Sequence, residues 1–250
     1  MSGHSKWAQI KRQKGANDAK RGQLFTKLAR EITVAARDGG GDPDANFRLR
    51  LAIQRARQFN MPQENIQRAI ARATGAGEEQ ARYEEVIYEG YGPGGVAIYI
   101  EALTDNRNRT VAEIRNVFTR HGGSLGETGS VAWLFEPRGF IAVSLNGRNP
   151  DDVTLAAIDA GAVDVNQEGS TLEIYTNLED LERVRHALEQ AGIPVESAER
   201  VMMPKSTVTL DEQRAQQVIR LVERLEDLDE VQNVSTNLDL SQELVAQLAS

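Results

Sequence analysis

The spacing of apolar residues changes at residues 74–80, where the sequence TGAGEEQ has the composition of a linker. Before it, apolar residues recur every three or four positions, which predicts helices. After it, β-branched and aromatic segments alternate with helical ones, which predicts strands and helices in turn. A chain of 250 residues is also too long for one typical domain. We therefore expect an α+β protein with a helical N-terminal domain followed by more than one domain.

Residues 1–75 are predicted to form a three-helix domain. The first helix ends at the glycines of residues 39–41, the second runs from about Ala45 to Phe59, and Pro62 lies in the first turn of the third. Each helix has an apolar stripe that would face a common core. Several arginines on the opposite stripes are expected to face outward: Arg50, Arg57, Arg68 and Arg72.

Two ferredoxin-like α/β domains are predicted in the rest of the chain. A complete β-α-β-β-α-β pattern covers residues 139–204. Half of a second such pattern precedes it, including a helix from Thr110 to His121 and a strand around residues 131–135, and the other half follows it. Because the two halves complete one another, we expect a discontinuous second domain, 80–138 plus 205–250, into which the third domain, 139–204, is inserted.

Charge is distributed unevenly along the chain. Residues 1–75 contain 15 Lys or Arg and 6 Asp or Glu, whereas residues 76–250 contain 14 and 31, so the net charge of −8 hides a basic domain. An asymmetry of this kind indicates that one part binds a polyanion while the acidic part limits nonspecific adhesion.

The first residues carry much of this positive charge. The stretch SGHSKWAQIKRQKGANDAKRGQLFTK, residues 2–27, has seven Lys or Arg against one Asp, with little apolar surface. Such a composition predicts a segment that becomes ordered only on binding. Glycine, glutamine and asparagine interrupt any amphipathic face, which argues against a transit peptide.

Several classes of protein are excluded or disfavoured. The chain has no cysteine, which removes disulfides and thiolate metal sites and fits a cytoplasmic protein. No stretch approaches the ~18 apolar residues that span a bilayer. His4, His121 and His186 are scattered without the spacing of a metal site. We expect no enzyme activity, no cofactor and no metal.

The sequence GYGPGG, residues 90–95, matches the pattern G-x-G-x-x-G of dinucleotide sites. In such sites the third glycine opens a helix, but here the strand-like sequence VAIYIEAL follows. Pro93 and Gly94 instead suit the two central positions of a type II turn in a hairpin.

The loop TDNRNRT, residues 104–110, lies just before a predicted helix. Arg107 and Arg109 beside the free N–H groups of a helix N-terminus would make a phosphate site. The alternative is a capping turn in which Asn106 or Asn108 bonds the backbone. Both interpretations stay open at this point.

Three long motifs resemble the YebC family, which includes the mitochondrial translational activator of cytochrome oxidase subunit one. They are GHSKWAQIKRQKGANDAKRGQLFTKLAREI, YEGYGPGGVAIYIEALTDNRNRT and GGSLGETGSVAWLFE. The resemblance implies a helical domain and two α/β domains, the second split by the third. Members are described as probable transcriptional regulators that bind DNA, and some as ribosome-associated factors that assist elongation through proline-rich stretches.

The resemblance also implies which residues contact nucleic acid. In the N-terminal motif they are Lys6, Trp7, Lys11, Arg12, Lys14, Lys20, Arg21 and Lys27, and in the loop motif Arg107 and Arg109.

We therefore expect a non-enzymatic regulator of gene expression that binds DNA, with a ribosome-associated RNA-binding translation factor as the alternative. A basic arm with one aromatic residue, Trp7, suits irregular RNA. No helix is evident in the sequence with Asn, Gln and Arg arranged to read a major groove. An interaction protein whose acidic domains bind small ligands or basic partners, and an enzyme using carboxylates of the third domain, are hypotheses from other classes.

Overall fold

Three helices form the N-terminal part of the computed structural model, which describes residues 18–75 and 83–240. They are α1 (Asp18–Gly39), α2 (Phe47–Gln58) and α3 (Gln63–Thr74). Their apolar stripes meet in one core that includes Leu28, Ile32, Leu49, Ile53 and Ile66. The predicted order and spacing of the helices in this part of the chain are confirmed.

Asn46 joins α1 to α2. Its side chain is buried, and the amide nitrogen donates to Ala35 O at 2.7 Å and Gly40 O at 2.8 Å. Its amide oxygen accepts the N–H of Leu49 at 3.1 Å and so caps the start of α2. One side chain therefore binds carbonyls at the end of one helix and a free N–H at the start of the next.

The rest of the described chain alternates strands and helices. In order they are β1 (Glu84–Tyr91), β2 (Ala97–Thr104), α4 (Arg107–Arg120), β3 (Ser124–Leu125), β4 (Phe135–Ser144), α5 (Pro150–Ala160), β5 (Asp164–Glu168), β6 (Thr171–Thr176), α6 (Leu181–Gln190), β7 (Val195–Pro204), β8 (Val208–Thr209), α7 (Glu212–Glu226), β9 (Val231–Thr236) and β10 (Leu238–Asp239).

The first sheet has the strand order β3-β1-β2-β9 and is antiparallel throughout. Alternate side chains of β2 face opposite sides of the sheet. Ile98 and Ile100 pack against α4 and α7, whereas Tyr99 packs on the other side against Phe135 and Met202 of the second sheet. The Tyr99 and Phe135 ring centroids lie 5.7 Å apart. The first sheet therefore lies between its own helices and the second sheet.

The second sheet has the order β5-β6-β4-β7, which is the order of a ferredoxin-like β-α-β-β-α-β unit. Helices α5 and α6 share its core on one face. All of its elements lie between β3 and β8 in the chain, so this unit is inserted in the first one. The predicted fold class, α+β with a three-helix domain followed by two α/β domains of which the third is inserted in the second, is confirmed. The ferredoxin-like strand order is that of the inserted domain, whereas the first sheet has the order β3-β1-β2-β9. The exact ranges 80–138 plus 205–250 and 139–204 stay a prediction, and β4 begins before residue 139.

Two local predictions were wrong. The helix predicted from Thr110 begins at Arg107, because Asn106 caps it by accepting the N–H of Arg109 at 3.1 Å. The strand predicted at residues 131–135 is a 3-10 turn, Ala132–Leu134, followed by β4. The carboxylate of Glu89 binds backbone N–H groups of this segment, which therefore cannot join a strand ladder.

The turn predicted at residues 93–94 is present. Gly95 N–H donates to Gly92 O at 3.1 Å and closes a turn with Pro93 and Gly94 at its centre. Gly94 has a φ of 73°, a conformation that residues with a side chain rarely adopt. The glycines of GYGPGG therefore serve a turn between two strands.

We expect Asn46→Ala to lower the free energy of unfolding by about 2–3 kcal/mol, because it removes a helix cap and leaves buried carbonyls without a donor. Urea unfolding of the full chain, followed by circular dichroism, measures the change. Asn116→Ala, at an exposed position inside α4, is the matched control and should not destabilise the chain, because alanine is the better helix former. Equal stability of the two variants would contradict this role of Asn46.

Candidate nucleic-acid interface

The predicted contacts of the basic N-terminal motif are only partly described by the structure. Lys20 and Arg21 lie in the first turn of α1. Arg21 is exposed, and its guanidinium lies 5.5 Å from the centroid of the Phe25 ring. The other residues of this motif before α1 lie outside the described residues: Lys6, Trp7, Lys11, Arg12 and Lys14.

Lys27 contacts another part of the protein. Its Nζ donates to the carbonyl oxygen of Glu226, the last residue of α7, and one turn further along α1 Arg30 Nη1 donates to Asp229 O at 2.6 Å. A cation is favourable at a helix C-terminus, where carbonyls lack intrahelical partners. These two side chains dock α1 against the C-terminal end of α7.

Other arginines of the helical domain also bind the two β domains. Arg48 forms an ion pair with Glu85, and Arg50 Nε lies 3.8 Å from Glu182 Oε2. Arg50 was expected to face outward, but it faces the inserted domain because this carboxylate lies opposite it. Arg37 Nη1 donates to Tyr83 O at 2.7 Å. Much of the positive charge in the helical domain is therefore used within the molecule.

The charge of Arg55, in the helical domain, is affected by carboxylates of the other domains. Burial disfavours its charged form, but carboxylates from three parts of the chain outweigh burial, so the pKa of its guanidinium is raised. These carboxylates are Glu31, Glu199, Glu101 and Glu226. The negative charge that the sequence shows after residue 76 thus acts directly on a basic residue of the helical domain.

Arg107 and Arg109 both lie in ion pairs. Arg107 binds Glu84, and Arg109 Nη2 lies 2.7 Å from Asp105 Oδ1 and 3.0 Å from Glu230 Oε1. The hydrogen bond with Asp105 is the largest cause that raises the pKa of Arg109. With Asn106 as the helix cap, the loop is the capping turn that the sequence left open as one alternative. Contact of these two arginines with nucleic acid stays a prediction.

Helix α3 leaves a polar face uncovered. Ile66, Ala69 and Ala73 are buried against the helical core, and the opposite face is exposed. That face carries Gln67, Arg68, Ala71 and Arg72, with Glu64 at its N-terminal end. Glu64 Oε1 accepts from Arg68 at 2.8 Å, and Arg72 has no ion pair within the part of the chain that the structure describes.

This surface was not predicted from the sequence, where Arg68 and Arg72 were expected only to face outward. The sequence spacing could have indicated it, because residues four positions apart lie on the same side of a helix. Two such pairs are adjacent here: Gln67 with Ala71, and Arg68 with Arg72. The tertiary structure adds that these four side chains are exposed, on the side of α3 opposite its buried residues.

Across residues 18–75 and 83–240, no group of three His, Asp or Glu is placed to hold a metal ion. In the same ranges no helix is long and apolar enough to cross a membrane.

The architecture defines the class of protein: a helical domain joined to a split α/β domain into which a ferredoxin-like domain is inserted. Two family models match, the TACO1/YebC N-terminal domain over residues 5–76 and the TACO1/YebC second and third domain over residues 83–238. The chain belongs to the TACO1/YebC family.

Relatives of known sequence are similar over their whole length. A Chloroflexus aurantiacus protein is 58% identical over 98% of both chains, and one from Rubrobacter xylanophilus is 53% identical over 100% of both; each is named "Probable transcriptional regulatory protein". A crystal structure of a conserved hypothetical protein from Aquifex aeolicus superposes with a TM-score of 0.83 at 49% identity, covering 90% of this chain and 93% of that one.

We expect Glu230→Gln to lower the free energy of unfolding by about 1–3 kcal/mol. Glu230 is 7% exposed, and its carboxylate lies near Arg109 and within 3.9 Å of Arg30, so both guanidiniums would lose a charged partner. Thermal and urea unfolding measure the change. Glu196→Gln is the control, since that side chain is exposed and has no partner among the described residues. A loss no larger than that of the control would show that the pairs around Glu230 add nothing to stability.

Proposed function

We propose that this protein is a non-enzymatic regulator of gene expression that binds DNA, with the exposed face of α3 as the surface that reads the major groove. The observation that carries the proposal is the set of uncovered side chains Gln67, Arg68, Ala71 and Arg72 on one side of a helix. The names of the full-length relatives as transcriptional regulatory proteins support the regulatory role.

These side chains have the chemistry that base edges require. A glutamine amide can bond both N6 and N7 of adenine, and a guanidinium can bond both O6 and N7 of guanine. The methyl group of Ala71 suits contact with the methyl group of thymine and lets the helix come close to the base pairs. A major groove about 12 Å wide admits an α-helix of this kind.

The basic arm before α1 would supply contacts to phosphates. Lys27, Arg30, Arg48 and Arg50 already bind carbonyls or carboxylates of the β domains. The exposed cations that remain for a nucleic acid include those of α3, Arg21 and Arg57. In this proposal the arm adds Lys6, Lys11, Arg12, Lys14 and Lys20, with Trp7 beside them. Phosphate contacts would fix the position of α3 without reading sequence.

The test is selection of duplexes from a random-sequence pool by the purified full-length chain, followed by binding measurements over a range of salt concentrations. We expect Arg72→Ala to weaken binding to the selected duplex. If Arg72 contacts a base, the variant should cost about 1–3 kcal/mol and relax specificity at one position. If it contacts a phosphate, the slope of log K against log salt should fall by about 0.9.

Arg220→Ala is the matched control for this experiment. Arg220 is an exposed arginine of α7 without an ion pair among the described residues, so its removal changes the net charge equally. We expect it to leave the selected sequence and the salt slope unchanged. Selection of no common sequence, or equal effects of the two variants, would contradict reading by α3.

The arm is tested separately. We expect Lys11→Ala, Arg12→Ala and Lys14→Ala together to reduce the salt slope by about two units, because each phosphate contact contributes about 0.7 to 0.9. The pair Arg107→Ala and Arg109→Ala should change the slope little, because both guanidiniums are held by carboxylates. An unchanged slope in the triple variant would show that the arm does not contact phosphates.

The alternative, an RNA-binding factor on the ribosome, predicts a different result in cell lysate. Sedimentation with ribosomes that survives DNase, together with no selected duplex, would replace the DNA proposal with this one.

A further inference from the structure

A loop beside the first sheet is fixed by a buried carboxylate. Glu89, on β1, is 3% exposed, and its two oxygens accept N–H groups from Gly129 at 2.6 Å and from Val131 and Ala132 at 2.7 Å each. Hydrogen bonds to an ionised acceptor are stronger than those between neutral groups. The backbone that leads into Trp133 is therefore held in one position by the sheet.

Two exposed aromatic side chains meet at this loop. The Trp133 ring nitrogen donates to Ser130 O at 3.1 Å, and the Tyr91 hydroxyl donates to the same oxygen at 2.9 Å. Trp133 is nevertheless 65% exposed and Tyr91 38% exposed. Because both polar atoms bind one carbonyl, the two side chains are close neighbours, and much of their apolar surface is left to solvent.

Trp133 contributes little to the core. The residues beside it in the turn, Val131, Ala132 and Leu134, pack into the cluster around Tyr99 and Phe135, so the turn is anchored without the indole. A large apolar side chain that is oriented by a hydrogen bond and left exposed is suited to bind something outside the chain.

A cation is held at the backbone of Trp133. Lys205 Nζ donates to the carbonyl oxygen of Trp133 at 3.0 Å, and its backbone N–H donates to Leu134 O at 2.8 Å. Lys205 is exposed, and an ammonium has three N–H donors, so others are available to a ligand.

We infer that Tyr91, Trp133 and Lys205 form a binding surface for unpaired nucleotides. A base stacks on the exposed indole, and its phosphate binds the ammonium of Lys205. Base stacking on an aromatic ring tolerates any sequence, and the bases of an intact duplex cannot reach the ring because they are already stacked on one another. The adjacent cation favours a nucleotide over an apolar or proline-rich peptide, which would need only the rings. This surface goes beyond the duplex reading by α3 and does not depend on it.

The experiment follows the fluorescence of Trp133 directly. The chain has two tryptophans, so Trp7→Phe leaves Trp133 as the single one, and all proteins compared carry this change. A fluorescein-labelled oligouridylate is titrated in, and its anisotropy is recorded with the quenching of the tryptophan emission. We expect the quenching to saturate together with the anisotropy.

Variants then separate the two parts of the surface. Trp133→Ala should weaken oligouridylate binding by about 5- to 150-fold, and Trp133→Tyr should restore part of it, because one stacked base is worth about 1–3 kcal/mol. Lys205→Ala should reduce the salt slope by about 0.7, the value for one phosphate contact on a single strand. Glu127→Gln, at an exposed carboxylate of the same loop, is the control and should not weaken binding.

Two results would overturn the inference. One is oligouridylate binding by Trp133→Ala with unchanged affinity. The other is a proline-rich peptide that quenches Trp133 when oligouridylate does not. Because Trp133 is mostly exposed, its variants should melt within a few degrees of the parent, which distinguishes lost binding from lost folding.

Discussion

The arrangement of the domains depends on the docking of α1 against the C-terminal end of α7. Lys27 and Arg30 donate to Glu226 O and Asp229 O, carbonyls at the end of α7 and in the turn that follows it. Glu230, in the same segment, faces Arg30 and Arg109 together. One short acidic segment therefore connects the helical domain to the first sheet.

This docking changes what the charge of the helical domain means. The cations of a basic domain attached to acidic ones can either pair with carboxylates of the neighbouring domains or remain exposed to a polyanion. Those that face the neighbouring domains form the internal pairs. Arg48 and Arg50 bind Glu85 and Glu182, whereas Arg72 on α3 has no ion pair among the described residues. Net charge alone thus overstates the surface that is open to a polyanion. What matters is which arginines remain after the domains have met.

A second buried contact prepares a different surface. The carboxylate of Glu89 gathers the backbone of the loop that precedes Trp133, and the carbonyl of Ser130 then orients both Trp133 and Tyr91. The buried carboxylate of Glu89 thus holds the loop that orients two exposed aromatic side chains. The loop sequence contains the aromatic residue, but the sheet determines where it points.

The sequence by itself determined the helices, the turn at Pro93 and Gly94, and the complete β-α-β-β-α-β pattern, because these follow from local periodicity and from the backbone preferences of single residues. It placed the start of α4 at Thr110 instead of Arg107, although it offered Asn106 as a cap of this turn. It failed at residues 131–135, where the carboxylate of Glu89 binds the backbone N–H groups. The tertiary structure alone decided which cations are free. Lys27 and Glu226 are 199 positions apart, and an ion pair or a hydrogen bond depends on distance in space, which no spacing in the sequence contains.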